Sequence, residues 1–510
     1  MPFKQWLLAA AASSAVLACS GRPDVTSPSE TPAPITPKLT DVIGSTSRPA
    51  QARALLPQAE IQPIISVGDP LPNSGGKFFQ PIPDGLGAYR DGNDLVLFVN
   101  HELSSTPITS DNGGASLAFA RVSRLRLDPT TLEVKSGDIV EDGSSALQRL
   151  CSATWVTAAE GFPDGYFFTG EEGGSSLLES AINAQGVRTP LPRLGRFAHE
   201  NYISVPGFGG KIVLVGTDDT SPARVSGSWI LRSELYIYVA PDASALLAGQ
   251  GDLYVFKSLG AVNSGALQPG APITGEFVKI DQGPGGLTSS ELQAQVNALG
   301  AFKFVRLEDV DYARFNGGSG NPAIYFVDTG NIDSCRVSQP CDPYGSIYRL
   351  EFNAQDPLTG AKLVLLQRSQ GAQSGFASPD NIAVGKKSLM LQEDPAYGAS
   401  SDPAYAAQFG DFNRAERIWN FQLNPDGSLS GGIAVAELDT EAQTGKLCSD
   451  KAGTCWESSG IIDASEWLGA GTWLFDVQAH TLPFTAGSGA NAPHYVNEGG
   501  QLLYLRLPGS

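Results

Sequence analysis

A closed all-β array, best built as a β-propeller, is the fold this sequence predicts, and three observations predict it. First, one theme recurs along the chain: a short apolar run ends in a polar or acidic cluster, and a Gly-rich loop leads to the next run. Its instances are LVLFVNHE (95–102), YFFTGEE (166–172), KIVLVGTDD (211–219), LYIYVAPD (235–242), AIYFVDTGN (323–331), SLMLQED (388–394) and WLFDVQAH (473–480), and the chain closes on LLYLRL (502–507). Second, several runs are apolar on successive residues, as strands packed on both faces are. Third, 58 Gly and 35 Pro punctuate the chain, and helical patterns are few, the best being Ser289–Leu299 and Asp463–Leu468. A propeller absorbs length by adding blades. A pair of stacked sandwiches is the structural alternative.

The elements follow in order. Lys4 and the apolar stretch Trp6–Leu17 make residues 1–18 a signal peptide. Its end, Val16-Leu17-Ala18-Cys19, resembles a bacterial lipobox, which implies cleavage before Cys19 and lipid on its thiol. Ser20 in the next position favours the outer membrane over the inner one, with the periplasm the alternative for a secreted form. Residues 19–55 are a Ser/Thr/Pro-rich tether with too little apolar surface to fold. Within it Gln51–Leu56 reads as a short helix, and regular structure is expected from near Ile61. Residues 56–510 form the propeller as one domain. No later segment is long and apolar enough to span a bilayer, so the lipid is the one expected membrane contact.

Lys and Arg number 34 against 53 Asp and Glu, a formal charge of −19. Such a surface repels nucleic acid and anionic lipid and suits divalent cations. The pairs Cys335/Cys341 and Cys448/Cys455 each enclose a short polar loop and read as local disulfides of an exported protein. Cys151 is the odd one, expected to be buried and inert.

The acidic clusters carry the chemistry. Tyr166-Phe167-Phe168 leads to Glu171-Glu172, and Arg196 precedes His199-Glu200. Arg306 precedes Glu308-Asp309, Asp380-Asn381 opens a turn, and Glu393-Asp394 ends the strand after it. Asn100-His101-Glu102 and Asp218-Asp219 are placed similarly. Taken singly, each is an ordinary turn or surface pair. If equivalent strands of different blades run the same way, however, their ends converge on one face around one channel. That would be a cation site assembled by topology. With four His in the chain and no H-E-x-x-H, such a site suits calcium or magnesium, with iron or manganese as further candidates. No nucleophile elbow, Walker loop or dinucleotide fingerprint is present.

The ordered set NHE, TGEE, RF-x-HE, RLEDVD, SPDN, QED and ESSGIIDAS…WLFDVQAH resembles the bacterial PhoX-type alkaline phosphatases, from about residue 90 to 507. The resemblance implies a six-bladed propeller whose channel holds several calcium ions and an iron centre, and hydrolysis of phosphomonoesters without a serine nucleophile. Glu172, Glu200, Glu308, Glu393 and Asp394 match its acidic ligand positions. Glu171, Asp309 and Asp380 are added as ligand candidates from their clusters. Arg196 and Arg306 are candidates for phosphate binding, or for ion pairs with the same carboxylates, and His199 for ligand, orienting group or phosphate contact. One departure bears on the metal. The family places a ligand Cys in the strand before the paired glutamates, and Gly170 stands there, so calcium is expected and iron or manganese lacks its soft ligand. The resulting expectation is a monomeric, lipid-anchored phosphatase of small phosphomonoesters. A non-catalytic calcium-binding propeller and a calcium-dependent lactonase or esterase are the alternatives.

Overall fold

Six antiparallel units, each built on four strands, follow one another along the chain. The computed structural model describes residues 43–111, 113–314, 320–337, 341–371, 374–395, 414–444, 456–489 and 491–509. The signal peptide, Cys19, the tether up to residue 42, and Cys448 and Cys455 lie outside the described residues. The innermost strands of the units are Pro83–Asp91, Leu150–Val156, His199–Ser204, Leu307–Tyr312, Pro379–Val384 and Glu457–Asp463. Each inner strand packs against the next, and the sixth packs against the first, so they close into a ring. This is a β-propeller and not two stacked sandwiches. The third unit carries a fifth strand, Ile273–Lys279, whose edge pairs with the outer strand Ala361–Arg368 of the fourth, so the two merge into one nine-stranded sheet.

The successive apolar residues of the second strands have the expected cause. In Asp94–His101, Leu95, Leu97 and Val99 face one core cluster while Val96 and Phe98 face another. Each sheet is thus buried on both sides between its neighbours. The helix Ser289–Leu299 is present, started by a Thr288–Glu291 capping box and ended by Gly300 in the left-handed region. The second expected helix is the single turn Ser465–Leu468. Of the two disulfides read from the sequence, the one between Cys335 and Cys341 is formed. It closes the connection between the second and third strands of the fourth unit, Ala323–Asp328 and Ser346–Glu351, with Cys335 buried and Cys341 half-buried.

The beginning of the fold differs from the sequence reading. Ala52–Ala54, expected as helix within the tether, is a strand paired with the 436–438 segment of the fifth unit. Ala52 is buried and Arg53 reaches out to Glu437. An outermost strand is selected by a free sheet edge, which overrides the weak helical pattern of QARALL. Glu60–Ser66 then forms the outer strand of the sixth unit beside Gly499–Arg506. The two ends of the domain are therefore zipped into one sheet.

Neighbouring inner strands approach very closely at Gly85. A Cβ there would sit 2.4 Å from the Cys151 carbonyl oxygen and 2.5 Å from the Ala153 nitrogen, both backbone atoms that cannot swing aside. Gly85→Ala is expected to cost about 1–3 kcal/mol by overpacking, read as a lower denaturation midpoint at an unchanged m value. An unchanged midpoint would show that the first and second inner strands are not this close.

Candidate metal centre

The centre is built from two repeated positions. The first is the second residue of an inner strand: Asp84, Cys151, Glu200, Glu308 and Asp380 all stand there, and the sixth strand offers Glu457 at its first residue. Pairing with the second strand shifts register beside most of these positions, for example between Pro83 and Leu86, His199 and Tyr202, and Leu307 and Val310. Such a bulge re-aims side chains at the rim of a sheet. The second position is the residue directly after the second strand of a unit, which gives Glu102, Glu172, Asp219 and Asp394. Nine carboxylates, Cys151, Arg149 and Arg306 line a single cavity of about 40 Å³. That is room for a few ions or waters.

Strand alternation decides which member of each acidic pair reaches this cavity. The residue before the rim donor turns into the sheet packing instead. Glu171, expected as a ligand, accepts from the Gln148 nitrogen at 3.0 Å and the Leu178 nitrogen at 3.1 Å, and from the Ser176 hydroxyl. Glu393, also expected, is claimed by the Ala377 and Arg417 nitrogens, the Trp419 indole and the Arg414 guanidinium, all within 3.0 Å. Asp309 sits one residue deeper than Glu308, where it accepts from Asn201 Nδ2 at 2.6 Å and the Ile382 nitrogen at 3.0 Å. It ties the third, fourth and fifth inner strands together. On the same level Asn381 donates to the Ser152 hydroxyl, from the fifth inner strand to the second. These polar bonds form a floor under the cavity.

His199 and Arg196 also lie elsewhere. His199 precedes Glu200, so it points into the seam between the second and third units, fully buried against Phe197 with Nε2 3.3 Å from the Gly195 carbonyl. Burial holds its pKa down to about 3. Arg196 donates to the Ser176 carbonyl at 2.6 Å and borders a different cavity. Cys335 and Cys341 are joined to each other and neither lines the centre, so they brace a connection and offer no thiolate to a metal. Arg306 does reach the centre, 2.8 Å from Asp219 and 3.1 Å from Glu308. Its counterpart across the rim is Arg149, 2.5 Å from Glu102 and 2.6 Å from Glu172. Both arginines shortly precede or adjoin an inner strand and hold left-handed backbone, at φ 62° and 50°. Such conformations cost energy outside glycine and persist where the surroundings impose them.

Nine carboxylates against two guanidiniums leave an excess of seven negative charges if all ionise, in a buried site. Without counter-ions the carboxyls must hold protons. Burial, with repulsion from neighbours including Asp219 and Glu102, lifts Glu172 from 4.5 to about 8, although Arg149 pulls the other way. Burial and Glu457 lift Asp394 to about 8. Burial also raises Asp84, Glu200, Glu308 and Asp380 well above the carboxylate range, and it raises the Cys151 thiol. Oδ1 of Asp84 and Oδ1 of Asp219 are buried with no partner at all. Three groups have donor atoms within 4.8 Å of one another: Asp84, Glu102 and Cys151; Cys151, Glu172 and Glu200; and Glu200, Glu308 and Asp380. Because they share Cys151 and Glu200, they run as a chain of adjacent cation positions. Several divalent cations fit this donor set.

The profile of the family described as alkaline phosphatase PhoX matches residues 178–458, more than half of the chain. The chain belongs to the PhoX alkaline phosphatase family. Among solved structures it is similar to Pseudomonas fluorescens PhoX in complex with vanadate, a transition-state analogue. That match has 15% identity and a TM-score of 0.56, covering 91% of this chain and 97% of that one. At that identity the likeness concerns the fold. A RAG complex matches at 12% identity and TM-score 0.40, over 88% of this chain and 99% of that one. A thermostable family-43 glycoside hydrolase matches at 9% and 0.32, over 87% and 96%. No curated protein matches the chain.

Within this family member the expectation about the thiol is overturned. A side chain at Gly170 would not reach the centre, since its Cβ would meet Glu179 Oε2 and His199 Cβ, each at 2.4 Å. The thiol comes instead from Cys151 on the neighbouring strand, where it donates to Glu172 Oε2 at 2.8 Å. Cys151 is buried as expected, but it is placed among potential ligands. Asp84, Arg149 and Glu457 likewise stand outside the acidic strand ends singled out from sequence. A usable signal existed: Asp84-Gly85, Cys151-Ser152, Glu200-Asn201, Glu308-Asp309 and Asp380-Asn381 all place a donor before a small or short polar residue.

The titrations set a pH dependence for the metal-free protein. With Glu172 and Asp394 raised to about 8 in the folded state, the native protein keeps protons that the unfolded chain has released. Stability must then fall as pH rises from about 5 to 8. Chelator-stripped protein is expected to melt progressively lower over that range, while protein with calcium stays level. A flat profile for the stripped protein would mean the carboxylates are compensated by the chain itself.

Proposed function

We propose that this chain is a metal-dependent phosphomonoesterase of the PhoX type, exported and anchored by lipid on Cys19 at the cell surface or in the periplasm. The observation that carries the reading is the convergence of a thiol, nine carboxylates and two arginines on one small cavity, in a member of a phosphatase family. The all-carboxylate group Glu200–Glu308–Asp380 suits calcium. The two groups sharing Cys151 suit iron, since a thiolate is the soft ligand an all-carboxylate site would lack, while manganese would be held by the carboxylates alone. When bound, the ions supply Lewis acidity toward the phosphoryl oxygens and lower the pKa of bound water.

The chain's own residues do the positioning. Arg149 and Arg306 flank the cavity, and each guanidinium offers five donors suited to a phosphate dianion. Their ion pairs hold Glu102, Glu172, Asp219 and Glu308 in place before substrate arrives. Thr329 donates to Glu308, and Gln478 Nε2 lies within 3.1 Å of both Asp84 Oδ2 and Glu102 Oε2. The floor of Asp309, Asn201, Asn381 and Ser152 lies between the cavity and another cavity further along the channel, which Asn201 and Asp309 also line. The paired arginines favour a phosphate ester over a neutral lactone, which carries no charge for them. Cys151 offers the soft donor that Gly170 cannot, which favours a catalytic propeller over a non-catalytic one.

Cys151→Ser is expected to lose bound iron, keep calcium, and lower kcat on nitrophenyl phosphate by at least about 100-fold. Glu308→Gln should lose calcium with a comparable fall in turnover. A fully metal-loaded protein with no turnover of any phosphomonoester would refute the enzyme reading. Separately, cells given labelled palmitate should label this protein, and Cys19→Ala should abolish both the label and membrane association. Label retained in that variant would refute the anchor.

A further inference from the structure

A second cavity of about 540 Å³ opens beside the metal centre and shares Glu102, Arg149 and Glu457 with it. The cavities lined by Trp155 and by Arg196 share no residue with the centre. An ester whose phosphoryl group reached the centre would therefore extend its organic part into this space, which is of a size usual for small-molecule sites.

Two walls form it. One is the segment 103–109, between the second and third strands of the first unit, and the other is Asn497-Glu498 of the sixth unit. Neighbouring parts of these walls are tied together, since the Asp111 nitrogen donates to the His494 carbonyl at 2.9 Å and His494 Nδ1 stands 3.1 Å from Asp111 Oδ2. Glu498 holds left-handed backbone at φ 65°, as do Ile82 and Arg149 on the same cavity. The space is thus kept in shape before anything binds.

Hydroxyls, amides and an imidazole share the lining with four charged side chains and with the apolar Ile82, Leu103, Pro107 and Ile108. Thr106 and Thr109 are exposed on one wall and Asn497 faces from the other. His480 lies within hydrogen-bond distance of Glu498 Oε2 through Nδ1, at 2.7 Å, while its Nε2 stands 3.9 Å from Glu457, past hydrogen-bond distance. Gln478 uses its amide nitrogen on Asp84, Glu102 and Ser459, and its Oε1 is buried with no partner. Among the described lining residues there is no Phe, Tyr or Trp, so the large rings that most often stack on a base or aryl group are missing.

We propose that this cavity is the leaving-group subsite and that it selects hydroxylated, polyol- or sugar-like phosphomonoesters over aryl or nucleoside ones. The proposal rests on the phosphomonoesterase reading above.

The test uses the full chain supplied with calcium and iron, and compares kcat/KM on glucose phosphate with that on nitrophenyl phosphate. Thr106→Val and Asn497→Ala should each lower the glucose-to-nitrophenyl ratio by roughly 5- to 10-fold, the loss expected of one hydrogen bond to a substrate hydroxyl, with unchanged melting temperatures. A ratio unmoved in both variants, or both substrates falling in proportion, would overturn the subsite and leave the phosphatase standing. Calorimetry separates the two ideas. Glucose phosphate should bind more tightly than inorganic phosphate, and the variants should erase that advantage. If neither ester turns over but the advantage exists and is erased, the phosphatase reading falls and the subsite holds. If glucose phosphate has no advantage over inorganic phosphate, the subsite falls.

Discussion

Buried negative charge that the chain cannot neutralise by itself is the constraint to which the rest of this structure answers. Two arginines face nine carboxylates around one small cavity. Transferring even one unpaired carboxylate from water costs several kcal/mol, so the ionised, empty centre is not a stable arrangement. Protonation relieves it up to the raised pKa values of about 8 at Glu172 and Asp394, and bound cations would relieve it above them. The free energy of cation binding is then partly free energy of folding. Donor side chains from six units line this one cavity, so bound ions would be a hub joining segments as distant in sequence as Asp84 and Glu457.

The pleat of the strands explains which of the acids singled out from sequence line this cavity and which do not. An apolar run ending in two acids announces a strand that reaches a rim, and Glu172 and Asp394 were readable for that reason. Glu200, Glu308 and Asp380 were readable because each stands in an acid- or amide-rich cluster. Which of two adjacent acids faces the axis depends on register, and side chains alternate with a period of two. Glu171 and Glu393 therefore fell on the packed side, where backbone N–H groups, an indole and arginines claim their oxygens. Asp218, the neighbour of Asp219, is likewise occupied, accepting from the Thr220 nitrogen at 3.0 Å.

Cys151, Arg149 and Asp84 were not readable for a different reason. None follows an apolar run. Asp84 lies in a proline-rich turn sequence, and Cys151 reaches the centre only because its strand runs antiparallel to Tyr166–Glu171 with Leu150 opposite Glu171. That register brings the thiol beside Glu172 across 21 residues of chain. The Cys335–Cys341 bond, by contrast, was readable because both partners lie on one short loop, six residues apart, and need no long-range register to meet. A family position for the thiol, read along the sequence, pointed to Gly170, where there is room for no side chain. Ala52–Ala54 was missed on the same principle as Cys151, because a strand that merely completes an edge needs a partner more than it needs a pattern.

The bulge at the start of the inner strands accounts for more than the ligands. In a regular strand the second and third residues would face opposite sides. With the register broken, both turn toward the axis at different depths, the donor above and a small, amide or carboxylate residue below. The lower set then bonds laterally, Asn201 to Asp309 and Asp309 to the Ile382 nitrogen, while Asn381 reaches Ser152 on another strand. Burial raises Asp309 to about 7, so the floor itself lies close to the edge of ionisation. Its bonds from Asn201, Val310 and Ile382 favour the charged form, and its depth opposes it. Asp309 consequently fixes the spacing of Glu200, Glu308 and Asp380 without reaching the cavity they line. The acid that looked like a fourth ligand is the brace that sets the distance between three others.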